Sequence, residues 1–453
     1  MRLNCNLSAL ISNNQLNKTQ TNLDKSIERL SSGLRINHAE DDAAGMAIAK
    51  RMHTQIKALE RAGKNAADGV SVVQTAEAAL GEAENMLQRA RELAVQAADE
   101  SYTDDDRAAI QQEIGQILKE VDRVSTDTEY NTMPLLDGTL ERRSYSDVDD
   151  VTAMDVSTAV KAGEYKLDVT AAAEKAAFSF TLPASFGGES CKININGAEI
   201  DLNSGDTADD LYARILDGCE RAGVDVMKTG DQVSLKSREY GSNASVSVDF
   251  KSDETAALFG AARINTTYGR DCEVTLGAGF GATAITGTDG NLISVRDVNG
   301  FDMKIEIPGE TTFTDCTMKV TDIGTLGIQV GANEGQQLII NIPKTNTHTL
   351  GIDNVNVNTS RGASEAISSL DKAISEISSI RSKLGAYQNR LESSEDSVDS
   401  YSENMTAALS RIEDCDMAEE MTEYTSQSVL SQAATSVLAQ ANERPETVLQ
   451  LLQ

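Results

Sequence analysis

Histidine, basic charge and long apolar runs are scarce in these 453 residues, and aromatic rings are scarce outside the middle of the chain. The three histidines, His38, His53 and His348, are scattered, and none pairs with a cysteine at metal-ligand spacing. A zinc protease needs two histidines one helical turn apart with a glutamate between them. Residues 141–345 contain no histidine at all. There is no glycine-rich phosphate loop, nucleophile elbow or Ser/His/Asp set either. Paired acids such as Asp209 and Asp210 read as solvated rather than as a general acid and base. The sequence therefore predicts no catalytic residue, no metal site and no cofactor.

Forty Lys and Arg stand against 71 Asp and Glu, a net charge of −31. With no basic patch to release phosphate counterions, nucleic acid is not an expected partner, and neither is anionic lipid. No run of about 18 apolar residues occurs, so membrane insertion is not expected. The opening residues lack a charged region followed by an apolar one, so export by a conventional signal peptide is not expected. Six cysteines, at 5, 191, 219, 272, 316 and 415, form no CxxC clip. Their spacing does not fix a pairing, and free thiols are expected.

Composition changes sharply along the chain. All eight Phe, five of the ten Tyr and 22 of the 32 Gly lie within residues 141–345. The flanks are rich in Ala, Gln, Glu and Ser and read as helix, whereas the middle has the aromatics, β-branched residues and turns of sheet. Period-two alternation at 165–169, 178–182, 192–196 and 244–248 predicts strands. Residues 207–222 predict a short amphipathic helix with Leu211, Ile215 and Leu216 on one face. The expected fold is mainly α with an α+β insertion of two modules, one near 191–250. Thr103 followed by three aspartates reads as a helix N-cap with acids in the first turn.

The flanks carry a long seam. Ala66, Val70, Val73, Ala76, Leu80, Ala83, Leu87, Ala90, Ala94 and Ala97 repeat at steps of four and three. The pattern returns at Ile367, Leu370, Ile374, Ile377, Ile380, Leu384, Tyr387, Leu391, Ser394, Val398, Tyr401, Met405, Ala408 and Ile412. A 3.5-residue period held this long is the mark of a coiled coil. Leu16, Leu23, Ile27, Leu30 and Leu34 make a shorter seam near the start. Met421, Leu430, Val437 and Leu438 make another near the finish, closed by Pro445. Matching seams predict that the two ends of the chain lie against each other, antiparallel. Three segments are expected: terminal helices at 1–42 plus 415–453, a helical rod at 43–140 plus 346–414, and the insertion at 141–345. The extreme ends hold few large apolar residues, and helices of that kind are marginal alone. They are expected to be largely disordered in a lone chain and to fold when neighbouring subunits supply the missing surface. Seam spacing by itself fits an ordinary dimeric or trimeric coiled coil equally well.

Residue strings go further. KSIERLSSGLRIN at 25–37, DDAAGMAI at 41–48, QRARELAVQAA at 88–98 and LLDG at 135–138 resemble the N-terminal signature of bacterial flagellins. LGAYQNRL at 384–391, ENMTAA at 403–408, DMAEEM at 416–421 and VLAQAN at 437–442 resemble the C-terminal one. The resemblance covers about residues 1–140 and 325–453. Within the insertion, the stretch from Ile195 to Ala244 is similar to a repeat found in flagellins and hook-associated proteins. The six cysteines, Cys5 and Cys415 among them, and Pro134 depart from the family pattern.

The resemblance implies a homopolymer that forms the flagellar filament. Terminal helices would form its inner tube, the next helices its shell, and the insertion its outer surface. It implies export through the flagellar secretion apparatus, with a chaperone on the C-terminal segment and hook-associated and cap proteins as further partners. It also implies recognition of the shell by a Toll-like innate immune receptor at Arg89, Arg91, Glu92, Leu93 and Glu113, with Leu93 expected to be exposed. Two other functions compatible with the sequence are a hook–filament junction protein and a filament whose acidic outer region is an adhesin.

Overall fold

The structure, a computed structural model, describes residues 6–148, 151–157, 159–187, 190–298, 300–321 and 323–451. The chain is mainly α with a β-rich insertion between N- and C-terminal helices, as expected. Two compact units divide it: residues 1–67, 329–336 and 393–453, and residues 68–328 with 337–392. The terminal helices thus fall in the first unit, and the insertion apart from 329–336 in the second. The rod helices α2 (Ala43–Ala98) and α6 (Ser360–Glu413) run through both.

In the first unit, α1 (Leu7–Ser32) lies antiparallel to α7 (Met417–Leu451). Arg29 sits 3.7 Å from Glu420 at one end, and Asn6 Nδ2 donates to the Ala441 carbonyl (2.9 Å) at the other. Asn6 also caps α1, its side chain accepting from the Ala9 amide. Gly33, at φ 74°, gives α1 the left-handed residue that a C-cap needs. The expected stop at Pro445 does not occur, since α7 continues to Leu451. Proline removes the amide that would serve the Ala441 carbonyl four residues earlier. Asn6 supplies that missing donor from the other end of the chain. Where described, the two terminal segments are helical, Leu7–Ser32 and Met417–Leu451. Their backbones satisfy themselves, even though little apolar surface is buried along them. Beside them, α2 meets α6 through Leu59, Ala62 and Val398, and His53 lies 2.8 Å from Glu413.

In the second unit, α2 and α6 again run antiparallel. Arg381 forks between Glu77 (2.5 Å) and Glu84 (2.6 Å), Arg91 pairs with Asp371, and Ser360 donates to the Ala98 carbonyl. The predicted α2 seam is buried throughout except at Val70, which is half-buried. The α6 seam is buried at Leu370, Ile377, Ile380, Leu384, Leu391 and Val398 and half-buried at Ile374, Tyr387 and Ser394, but its continuation to Tyr401 fails, because that ring is 66% exposed. Leu409 is buried in place of Ala408. An unsupercoiled helix drifts about 20° per heptad against a 3.5-residue repeat, which moves the contact one position onward. The helix α3 (Asp104–Asp127) starts with the expected cap: the Asp106 amide donates to Thr103 Oγ1 (3.3 Å), and the Thr103 amide donates back (3.1 Å). Arg107 ties it to the end of α2, donating to the Ala97 and Asp99 carbonyls at 2.9 Å each.

The insertion closes on two separate cores. One spans residues 176–261, wider than the 191–250 predicted. Strands Lys175–Thr181, Gln232–Tyr240 and Val224–Thr229 form its first sheet in that order. Ile264–Tyr268, Ser245–Phe250, Cys191–Ile195 and Ala198–Leu202 form its second. Asn196 and Gly197, both at positive φ (45° and 91°), make the tight turn of the hairpin between the last two strands. Two helices, α4 (Ala208–Ala222) and α5 (Asp253–Leu258), complete the module. Leu211, Ile215, Gly218 and Cys219 form the buried face of α4. Leu216 is 44% exposed instead of sharing that face, because it lies one residue and about 100° around from Ile215. Asp210 is the reciprocal cap of Thr207, and Asp209 pairs with Lys228 at 2.9 Å, so neither acid is poised for proton transfer. The second core packs two four-stranded sheets around Tyr165, Leu167, Ile293, Ile305 and Met318.

Candidate assembly surface

The contact between α1 and α7 has an unusual polarity. Ser12, Leu16, Thr19, Leu23, Ser26 and Leu30 are the covered positions of α1, at regular steps of four and three. The most deeply buried of them are Thr19 and Ser26. Glu420, Tyr424, Gln427, Ser431, Ala434, Leu438 and Ala441 are the matching positions of α7. Other large apolar residues face out: Leu7, Leu10, Ile11 and Ile27 on α1, and Met417, Met421, Val429, Leu430 and Val437 on α7. At 100° per residue, Met421 and Val437 stand about 160° apart around α7. The bare apolar surface therefore faces more than one direction.

The predicted seam residues thus divide. Leu80, Leu87, Leu384, Leu391 and Val398 are buried within the chain. Leu23, Leu30, Leu34 and Leu438 are half-buried, while Ile27, Met421, Leu430 and Val437 are exposed.

On the second unit, Arg89 donates to Glu113 (3.1 Å) and Glu92 (3.3 Å), all three exposed. Arg91, half-exposed, is held by Asp371. Leu93 departs from the expected exposure, because only 3% of its surface is accessible. It lies between the Arg89–Glu113 pair and the Arg107–Ala97 bond, both of which tie α2 to α3. That places it on the side of α2 turned toward α3, next to the Ala90–Ala97 seam. Nearby Val95 is 48% exposed instead. Sequence reasoning missed it because the Leu93 stripe is a second seam alongside the longer one.

Cys191, Cys219, Cys272, Cys316 and Cys415 are free thiols, and Cys5 lies outside the described residues. Burial pushes the Cys219 thiol up to about 12 and Cys272 up to about 11, which keeps both protonated and unreactive. Among the described residues, no group of His, Cys, Asp and Glu could hold a metal ion, and no helix is long and apolar enough to cross a membrane.

Comparison with known proteins agrees with this layout. The bacterial flagellin N-terminal helical region matches residues 3–141, and the bacterial flagellin C-terminal helical region matches residues 367–452. A flagellin of Clostridium tyrobutyricum is 34% identical over 447 residues, covering 98% of this chain and 100% of that protein. The chain belongs to the flagellin family. Flagellins of Salmonella typhimurium (33% identical, 99% of each chain) and Bacillus subtilis (31% identical, 100% of each chain) align along its whole length as well. Its role is that of a flagellin, a structural subunit of the flagellar filament and not an enzyme.

Proposed function

We propose that this flagellin builds its filament by covering the outward apolar side chains of α1 and α7 with those of sister molecules. The observation that carries the reading is the inverted pair, with Thr19 and Ser26 inside and Leu10, Ile11, Met421, Leu430 and Val437 outside. Each such side chain contributes roughly 1.5–3 kcal/mol when buried. Several together exceed an ordering cost of about 2–5 kcal/mol. Before assembly the same surface on α7 suits an export chaperone, and the subunit leaves by the flagellar secretion apparatus rather than by a signal peptide. Hook-associated and cap proteins are its partners at the filament ends.

Deleting residues 430–453 should abolish elongation while the insertion melts unchanged. A truncated chain that still elongates would overturn the reading. Wild-type protein that extends from its own seeds acts as a filament subunit, whereas a hook–filament junction protein would not elongate.

A finer reading places a Toll-like receptor on Arg89, Arg91, Glu92 and Glu113. The exposed Arg89–Glu113 pair favours it, since it fixes a charged face across two helices. Leu93 supports that face from beneath, with only 3% of its surface accessible. Arg89→Ala and Glu113→Ala should each weaken receptor binding with helical content intact, and unchanged affinity would refute this assignment. Leu93→Glu should instead unfold the shell helices, because it buries an unpaired carboxylate.

A further inference from the structure

The first unit carries two charged stripes that have no partner among the described residues. Lys50, Lys57, Arg61 and Lys64 are all exposed on α2. At 100° per residue they fall within about 60° of arc, on the far side of the helix from Leu59 and Ala62. Glu60, off the stripe, is the only acid between Lys50 and Lys64. On α6, Asp396, Asp399 and Glu403 are also exposed and fall within about 60° of arc, with Asp399 at the edge of the α2 contact beside Gly63. No base lies between Leu391 and Ser410. Among the described residues, none of these seven side chains makes an ion pair or hydrogen bond. In a chain of net charge −31, four aligned and unneutralised bases run against the general balance.

The geometry points to a docking surface between copies, in which the Lys50–Lys57–Arg61–Lys64 stripe of one subunit meets the Asp396–Asp399–Glu403 stripe of the next. The inference rests on the filament reading and adds the chemistry of one lateral contact to it. A second copy is the occupant because the complementary stripe is present on the same chain, in the same unit. Such a pairing is head-to-tail: each subunit offers both halves, so the contact propagates as a filament requires. Charge arranged in this way fixes register and speeds encounter more than it adds affinity. It is also screened by salt.

The test is a charge exchange. One variant carries Lys50→Glu, Lys57→Glu, Arg61→Glu and Lys64→Glu. A second carries Asp396→Lys, Asp399→Lys and Glu403→Lys, and a third carries all seven changes. Elongation is nucleated with polyethylene glycol at low salt and followed by light scattering and electron microscopy, with helical circular dichroism as the control for folding. Each half-exchange should slow elongation at least tenfold, and the full exchange should return it to within threefold of wild type. Half-exchanged chains that elongate normally would overturn the inference, as would a folded full exchange that stays slow. If a half-exchange loses its helical signal, neutral Gln and Asn versions take its place. They should still slow elongation several-fold, and a wild-type rate would again refute the pairing. Failure of the wild type itself to elongate would instead count against the filament reading.

Discussion

Residues 176–261 close on Phe180, Phe250 and Phe259, whose rings lie 5.3–6.1 Å apart, whereas α1 and α7 close on Thr19 and Ser26. Both regions are regular secondary structure with satisfied backbones. They differ in where their apolar surface goes. The insertion packs its cores from large side chains between sheet faces, as a domain that folds alone must, while others such as Tyr268, Ile285 and Val298 stay at its surface. The terminal pair closes on hydroxyls mixed with half-buried leucines and leaves a second set of large apolar side chains in solvent. A region can therefore be fully helical and still be energetically unfinished. What marks it is the direction of its apolar face and not the presence of secondary structure.

The sharpest way to break this contrast is to remove a ring from the closed core. Phe250→Ala should destabilise the 176–261 module by about 3–5 kcal/mol, read from urea unfolding, and leave elongation of the folded fraction unaffected. A loss near zero would mean that this core is no tighter than the terminal pair.

A second test uses acidity. Burial holds Glu141 up at about 8, with Asp155 adding to the shift, and Asp155 is itself raised by burial. Amide bonds from Val156 and Lys344 to Glu141 offset this only in part. The folded chain then holds protons that the unfolded chain releases above its ordinary value of 4.5. The stability Glu141 contributes is complete below that pH and is lost as pH rises through about 8. Unfolding of the second unit should show that slope, up to about 1.4 kcal/mol per pH unit for one group. Glu141→Gln should flatten it, and an unchanged slope would assign the pH dependence elsewhere.

Smaller still, Thr207→Ala removes the α4 cap and should cost about 1 kcal/mol in module stability without touching assembly. The smallest effect on the lone chain belongs to the terminal face. Leu430→Ser with Val437→Ser should change monomer stability by less than about 0.5 kcal/mol yet slow elongation more than tenfold. If the monomer lost several kcal/mol instead, those side chains would be part of an internal core.

Most of the architecture is legible in the sequence, because the two seams are long and the aromatic boundary is abrupt. The departures have local causes. Leu216 and Tyr401 were misplaced where a single-residue step or slow drift turns a side chain off the contact stripe. Leu93 lies on a second stripe that becomes visible only once α3 is laid along α2. Pro445 reads as a stop until Asn6, more than 400 residues earlier in the chain, is found serving the carbonyl that proline leaves bare. The assembly residues were only half legible. Periodicity finds Leu430 and Val437 but cannot tell a seam facing its own chain from one facing a neighbour.

Amide hydrogen exchange on dilute monomer and on assembled filament tests the central claim most directly. In the monomer, amides of Leu7–Ser32 and Met417–Leu451 should exchange orders of magnitude faster than those of Ser245–Phe250, and should become comparably protected on assembly. Terminal helices as protected in the lone molecule as the sheet core would contradict the account.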